Sequence, residues 1–430
     1  MESCKEKKII EILKNQVKPA LGCTEPGAVA LAVSRAKKLL GEPVSRVVVS
    51  IDKNVLKNGL GVGIPGTKER GNAFAAALAV SCGNSEYGLE VLKDVNQEAI
   101  AQAERYLKEE IVKVEYDPEA TCLKVTAQVW GEHHKAMVII YRNHSNIAFE
   151  QYDDEVLLDT MNVEASVVAS TSGPSLQQQI KEYTIREMIL LAKTLPGEEL
   201  AFIQDGIDMN MKIAEAGLSD GVGVGIGKYM MSRSNGTVEG CAKAYTAAAS
   251  EARMAGWPLS VMSSAGSGNH GLTAIIPINV FGQRMGYDDD LIRRAVAFSH
   301  MVTIFVKSYL GALSPICGCG VAAGVGCAAG LTFLRGGTDH QIDASILNMI
   351  AGLTGMLCDG AKLGCAYKLA VAVDAAIDAS NMALSRVHIP GDNGILSDSP
   401  EQSIINMAKV SVQGMGTTDS VIVDIMQEKC

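Results

Sequence analysis

Aromatic side chains are scarce in this 430-residue chain, at 5% of residues, and charged ones reach only 20%. Sparse charge beside 47% hydrophobic residues excludes a disordered chain and predicts a folded one, long enough for two or three domains. With so few rings, the 43 glycines suit close helix packing and loops whose backbone approaches something. A basic stripe is lacking: the net charge is -10 and the acidic excess is spread out, so nucleic acid is not expected as a partner. The N-terminus, MESCKEKKIIEILKNQVK, has neither an apolar core region nor a small-residue cleavage site, so no signal peptide is expected. One long uncharged run, Ser308 to Leu334, is interrupted by Pro315 and rich in Gly and Cys, so no membrane span is expected. The expected compartment is the cytoplasm. There, eleven cysteines, an odd number, do not read as a disulfide framework.

No repeat of solenoid period and no long Ser, Gly or Pro linker is present, so the parts of the chain are expected to pack together. The first half mixes helix and strand. Glu6 to Val17 places Ile9, Ile10, Leu13 and Val17 on one helical face. Thr24 is placed to cap a second helix, with Pro26 in its first turn, running to about Leu40. Val44 to Ile51 reads as a strand, and Asn72 to Val80 and Asn96 to Leu107 as helices. Residues 112–150 alternate and turn at Asp117-Pro118, Gly131-Glu132 and Asn143 to Ser145, which predicts an antiparallel meander of about four strands. Beyond about Gln177, Ala-rich helical segments broken by Gly or Pro take over. The fold class is therefore α+β: a mixed domain over 1–175, then a mainly α-helical domain over 176–430, with the boundary near Ser170 to Ser175.

Two glycine loops invite a nucleotide reading and fail it. GVGIPG, Gly61 to Gly66, does not follow directly on its strand, as a dinucleotide loop must; a tight loop offering N–H groups to an anion fits better. DGVGVGIGK, Asp220 to Lys228, lacks the Walker spacing and reads as a close-packed turn.

The cysteines carry more. Cys23, in GCTEPGAVALA, falls just before a helix N-terminus, where free N–H groups and the helix dipole favour a thiolate; a buried thiol at a helix entry is the bland reading and stays open. Cys317, Cys319 and Cys327 share one glycine-rich stretch; Cys358 and Cys365 flank Asp359-Gly360 in another. Zinc knuckles pair C-x2–4-C with a matching knuckle or His, and His340 has no partner at that spacing. An iron–sulfur cluster needs only thiolates that the fold brings together. Cluster, core packing and zinc all stay open on these residues alone. Cys82, Cys122 and Cys241 sit in ordinary apolar surroundings and read as structural.

Taken together, LTGMLCDGAKLGC, SPICGCGVAAGVG, SSAGSGNHGLTAIIP and GCTEPGAVALA resemble the L-cysteine desulfidase family, itself related to the alpha-chain domain of iron–sulfur-dependent L-serine dehydratases. The resemblance covers nearly the whole chain. It implies a [4Fe-4S] cluster on Cys317, Cys358 and Cys365, with Cys319 the alternative to Cys317, and Cys23 as catalytic base. Three protein ligands leave one iron open as a Lewis acid. The implied reaction is β-elimination of L-cysteine to pyruvate, ammonia and hydrogen sulfide. The same machinery acting on a β-hydroxyl would be an L-serine dehydratase.

The loop Ser263 to Gly271, with Ser264, Asn269 and His270, is expected to bind the substrate carboxylate or orient the base; the bland reading is a polar interhelical loop with a solvated His270. Thr171 and Ser172, in TSGPS, and Lys57 and Asn58, ahead of the first glycine loop, are further candidates for substrate contact. His133 and His134 read as solvent-facing turn residues. A pyridoxal-phosphate lyase would do the same chemistry, but Lys228 and Lys362 form no convincing Schiff-base motif. A non-enzymatic iron–sulfur sensor would carry a partner-binding module, and none is visible. The expected partner is a small amino acid, with no nucleic acid or membrane; size, apolar content and family habit suggest a homodimer.

Overall fold

The computed structural model describes residues 2–161, 175–311 and 313–429. Thr171 and Ser172 lie outside them. The N-terminal layer is a six-stranded sheet with helices on one face. Its strands are β2 (Arg46–Ile51), β3 (Val112–Tyr116), β4 (Lys124–Trp130), β5 (Lys135–Tyr141), β6 (Ile147–Tyr152) and β7 (Glu155–Asp159), in the order β3-β2-β4-β5-β6-β7. Alternation decides which face is buried. Val125, Ala127 and Val129 of β4 and Ala136, Val138 and Ile140 of β5 point into one core with Ala28, Leu31 and Ala32 of α2 (Thr24–Leu40).

The meander differs from the sequence expectation in two ways. β3 and β4 are not a hairpin at Asp117-Pro118: β2 inserts between them, parallel to β3 (Val49 beside Val114) and antiparallel to β4 (Val49 beside Ala127). A parallel pair needs a crossover, and α3 (Lys53–Gly59), α4 (Gly71–Cys82) and α5 (Gln97–Lys108) supply it. A further edge strand, β7, extends the sheet past residue 150.

The rest is helical: α6 (Ile185–Thr194), α7 (Ala201–Gly217), α8 (Ile226–Arg233), α9 (Val238–Met254), α10 (Gly268–Met285), α11 (Asp289–Leu310), α12 (Ala323–Leu334), α13 (Asp339–Leu353), α14 (Cys365–Leu384), α15 (Pro400–Lys409) and α16 (Thr418–Gln427). Every residue of α12 is buried, and α10, α11, α13 and α14 surround it. Its glycines let them in. A methyl carbon at Gly326 would stand 2.2 Å from Thr303 Oγ1 of α11, and one at Gly330 2.4 Å from Ile278 Cδ1 of α10. The C-terminal part of the uncharged run is thus a core helix, apolar all round because it is enclosed all round. No helix among the described residues is long and apolar enough to cross a membrane.

The two layers exchange elements. Ile9, Ile12 and Leu13 of α1 (Glu2–Gln16), with Val17 just after it, belong to the helical core, not to the sheet's. After α1, the two-residue strand β1 (Pro19–Ala20) pairs with β8 (Val261–Met262), and Ser263 N–H donates to the Lys18 carbonyl at 2.8 Å. This clip fixes where α2 begins.

Asp220 to Lys228 proves to be an occupied anion nest. The fully buried Glu251 carboxylate of α9 accepts N–H bonds from Val224 (2.7 Å), Gly225 (2.8 Å) and Gly227 (2.9 Å). Glu251→Ala leaves the buried Gly227 N–H without its acceptor, at about 1–3 kcal/mol, while water can reach the donors of Val224 and Gly225. The denaturant midpoint should fall by the equivalent of about 1–3 kcal/mol; an unchanged midpoint would show that water replaces the carboxylate without loss.

Candidate active site

Three segments meet around Cys23. The first is the start of α2. Cys23 itself takes the N-cap position, with extended backbone (φ -101, ψ 146), and Thr24 is the first helical residue. The expected Thr24 cap is therefore displaced by one residue, and Thr24 Oγ turns instead to Glu25 (3.2 Å). Cys23 packs with Val62 and Met254 and, across the interface, with Ala361, Leu363 and Cys365. A cavity of about 80 Å³ opens beside it, lined by Leu21, Gly63, Pro65, Leu89 and Val91.

The expected low pKa is not found. Burial pushes the Cys23 thiol up to about 11; the Arg253 guanidinium beside it opposes this, and Glu25 and Cys365 add to it. Desolvation outweighs the helix terminus because the sulfur is enclosed.

The second segment is the end of α9 with the loop that follows. Gly63 N–H donates to the Met254 carbonyl (2.9 Å) and Gly66 N–H to that of Gly256 (3.2 Å). These donors of the GVGIPG loop are spent on the chain, so they cradle no anion. Arg253 reaches across the site: Nη1 donates to Asn269 Oδ1 (3.1 Å) and Nη2 to the Gly22 carbonyl (2.6 Å). Ser264, Asn269 and His270 are all buried, so His270 is not solvated. Its Nδ1 lies 2.9 Å from the Ser264 carbonyl. A carbonyl only accepts, so Nδ1 carries the hydrogen and Nε2 the lone pair. Burial, with Lys307 nearby, holds its pKa down to about 3. His270 is thus a neutral acceptor, suited to an ammonium or thiol and unsuited to a carboxylate. Ser264 Oγ in turn meets His300 Nδ1 at 2.9 Å.

The third segment carries the cysteines. Ile316 and Leu357 form an antiparallel bridge, flanked by Cys317 N–H to the Met356 carbonyl (2.8 Å) and Cys358 N–H to the Pro315 carbonyl (2.7 Å). Two loops distant in sequence are thereby zipped together, which sets the Cys317 and Cys358 thiols side by side, close enough to act on each other's proton. Cys365 opens α14, with Sγ 3.6 Å from the Gly360 carbonyl. After Cys317 the chain makes a π-helical turn, Gly318–Ala322, a form common at functional sites. Gly318 is the contact with the second segment: a methyl carbon there would lie 2.5 Å from His270 Nε2 and 3.3 Å from Lys307 Nζ. Cys319 is half-buried and points to Ser267 Oγ (3.7 Å), while Cys327 lies in the helical core.

The hydrogen bond with Cys319 pushes the Cys317 thiol up to about 12, against the opposing bond from Cys358, and burial adds to it. Cys358 is raised well above the ordinary thiol range by its bond with Cys317 and by burial. Crowded thiols without a cation keep their protons. Among the described residues no three Cys, His, Asp or Glu side chains converge closely enough for a single metal ion. Thiols spread over two loops and a helix start suit a polynuclear group, whose ligands stand on different metal atoms.

Lys57 and Asn58 are buried at the same junction. Lys57 already holds a carboxylate: its Nζ lies 2.6 Å from Asp419 Oδ1 of α16. The Lys57 carbonyl also presses on the CDG turn, where a methyl carbon at Gly360 (φ +90) would meet it at 2.1 Å. His133 and His134 are exposed hairpin residues, as read. Arg253, His300 and Asp419 had no signal in the sequence beyond being polar residues in apolar surroundings.

Residues 86–424 match the family model described as serine dehydratase alpha chain. Similar proteins include a UPF0597 protein of Caldanaerobacter subterraneus subsp. tengcongensis (52% identical, 98% of each chain) and one of Clostridium tetani (47%, 98% of each). Another, from Bacteroides fragilis, is 37% identical with both chains covered in full. The family model starts beyond Cys23 and Lys57, whereas these relatives span both. With full-length similarity on one side and a match through every cysteine loop on the other, the chain belongs to the UPF0597 proteins and, through residues 86–424, to the serine dehydratase alpha chain family.

Proposed function

We propose that this chain is an L-cysteine desulfidase that splits L-cysteine and water into pyruvate, ammonia and hydrogen sulfide. The observation that carries the reading is the meeting of Cys23 and Cys365 in one packed cluster, with Cys365 in electrostatic reach of Cys317 and Cys358. Cys317, Cys358 and Cys365 would hold a [4Fe-4S] cluster. What favours Cys317 over Cys319 is its place beside Cys358 across the Ile316–Leu357 bridge and its influence from Cys365, whereas Cys319 turns to Ser267. When bound, such a cluster supplies a Lewis-acidic iron for the departing sulfur.

The chain's own residues would do the rest. Cys23 sulfur, as thiolate, takes the proton from the substrate's α-carbon. The resulting thiol is the form its burial favours. His270 Nε2 offers a lone pair to the substrate ammonium, and Ser264 holds the ring in that tautomer. Close packing of Val62, Met254 and Leu363 keeps water from the sulfur. Elimination leaves aminoacrylate, which tautomerises to an imine and adds water to give pyruvate and ammonia.

An L-serine dehydratase is the second reading, and the family's description favours it. The leaving groups separate the two. A thiolate is softer toward iron and leaves at lower pKa than hydroxide. The cluster-loaded protein is expected to show higher kcat/KM for L-cysteine than for L-serine; the reverse order would make it the dehydratase.

A further inference from the structure

Arg253 is 94% buried in the last turn of α9, at 6% exposure. Its acceptors there, the Asn269 amide oxygen and the Gly22 carbonyl, are neutral, and so is the neighbouring Cys23 thiol, whose burial keeps its proton on. Among the described residues it makes no ion pair, and its Nε is buried without a partner. Gly268 packs directly on the guanidinium: a methyl carbon at 268 would stand 2.5 Å from Nε and 2.8 Å from Cζ, so only glycine admits the arginine there. Burying a guanidinium without a counter-ion is costly, and such charges are held in proteins by an anion.

The carboxylates around the site are taken by other cations. Lys57 is bonded to Asp419, and Lys362 and Lys368 both bond Asp359. Lys307 faces Cys317, Cys319 and Cys358. Arg253 is left, beside Cys23. A base at Cys23 must reach the substrate's α-carbon, and the α-carboxylate is one bond further on. We propose that Arg253 is the carboxylate anchor of this site, and that its ligand is an α-amino acid with a free carboxylate. The inference rests on the reading of the site as an amino-acid lyase. Planar N–H donors suit a carboxylate, and Asn269 fixes the guanidinium's rotation through Nη1.

The test is calorimetric titration of the anaerobically purified protein with L-alanine and L-alaninamide, neither of which has a β leaving group. The wild type should prefer L-alanine by about tenfold or more, the scale of a charge-assisted bond pair. Arg253→Met should bring the two affinities together, and Arg253→Lys should restore part of the difference. Asn269→Asp, nearly isosteric, places a carboxylate on the guanidinium and should also level them. It decides the matter if Arg253→Met fails to fold. Equal wild-type affinities, or a preference that survives Asn269→Asp, would overturn the proposal. Loss of the lyase reading is separate: no sulfide from L-cysteine, with the alanine preference intact and Arg253-dependent, would leave the anchor and remove the activity.

Discussion

Alanine at Cys358 or at Cys365 is expected to give protein that retains little iron after reconstitution and forms no pyruvate from L-cysteine. Each substitution takes one thiolate from a three-point anchor. The remaining two lie on a single loop pair, or on one loop and a helix start, and hold a polynuclear group from one side. Colour, iron and turnover should fall together. Cys317→Ala should do the same, because Cys317 sits beside Cys358 across the loop bridge, whereas Cys319→Ala should keep its iron. If Cys319→Ala strips the iron and Cys317→Ala does not, the ligand assignment shifts by two residues and the π-helical turn must present the other thiol.

Cys23→Ala should behave differently. Iron content is expected to stay near wild type while turnover drops by about 10²–10⁴, the range for loss of a general base. The pH profile gives a second readout. With its thiol raised to about 11, Cys23 is thiolate in only about one molecule in 10⁴ at pH 7. The base form grows tenfold per pH unit below that pKa. The wild-type kcat/KM should therefore rise about tenfold per unit between pH 7 and 9, and the residual rate of Cys23→Ala should lack that slope. An equally steep profile in the variant would place the base elsewhere.

Much of this was legible in the sequence, for identifiable reasons. Helix periodicity and local turn signals located α1, α2, α4 and α5, and strand alternation located β4 to β6. The cysteine loops could be singled out because five cysteines crowd into some fifty residues of glycine-rich chain. What escaped depended on contacts between distant residues. The insertion of β2 follows from the helical crossover over the sheet, which no local pattern records. The Arg253 bond to the Gly22 carbonyl spans 231 residues, and the Lys57 pair with Asp419 spans 362. The direction of the Cys23 shift was missed because a helix terminus can be read from sequence and the enclosure of a sulfur cannot. For His270, the polar loop was legible and its burial was not: enclosure makes it a neutral acceptor with its tautomer fixed by Ser264, where a carboxylate contact or a solvated ring had both been open.

The most direct measurement is pyruvate and sulfide formation from L-cysteine by anaerobically reconstituted wild-type protein, with iron assayed on the same sample. The account predicts about four irons per chain and equimolar pyruvate and sulfide, both lost in Cys358→Ala. Full iron loading without sulfide release from L-cysteine would contradict it.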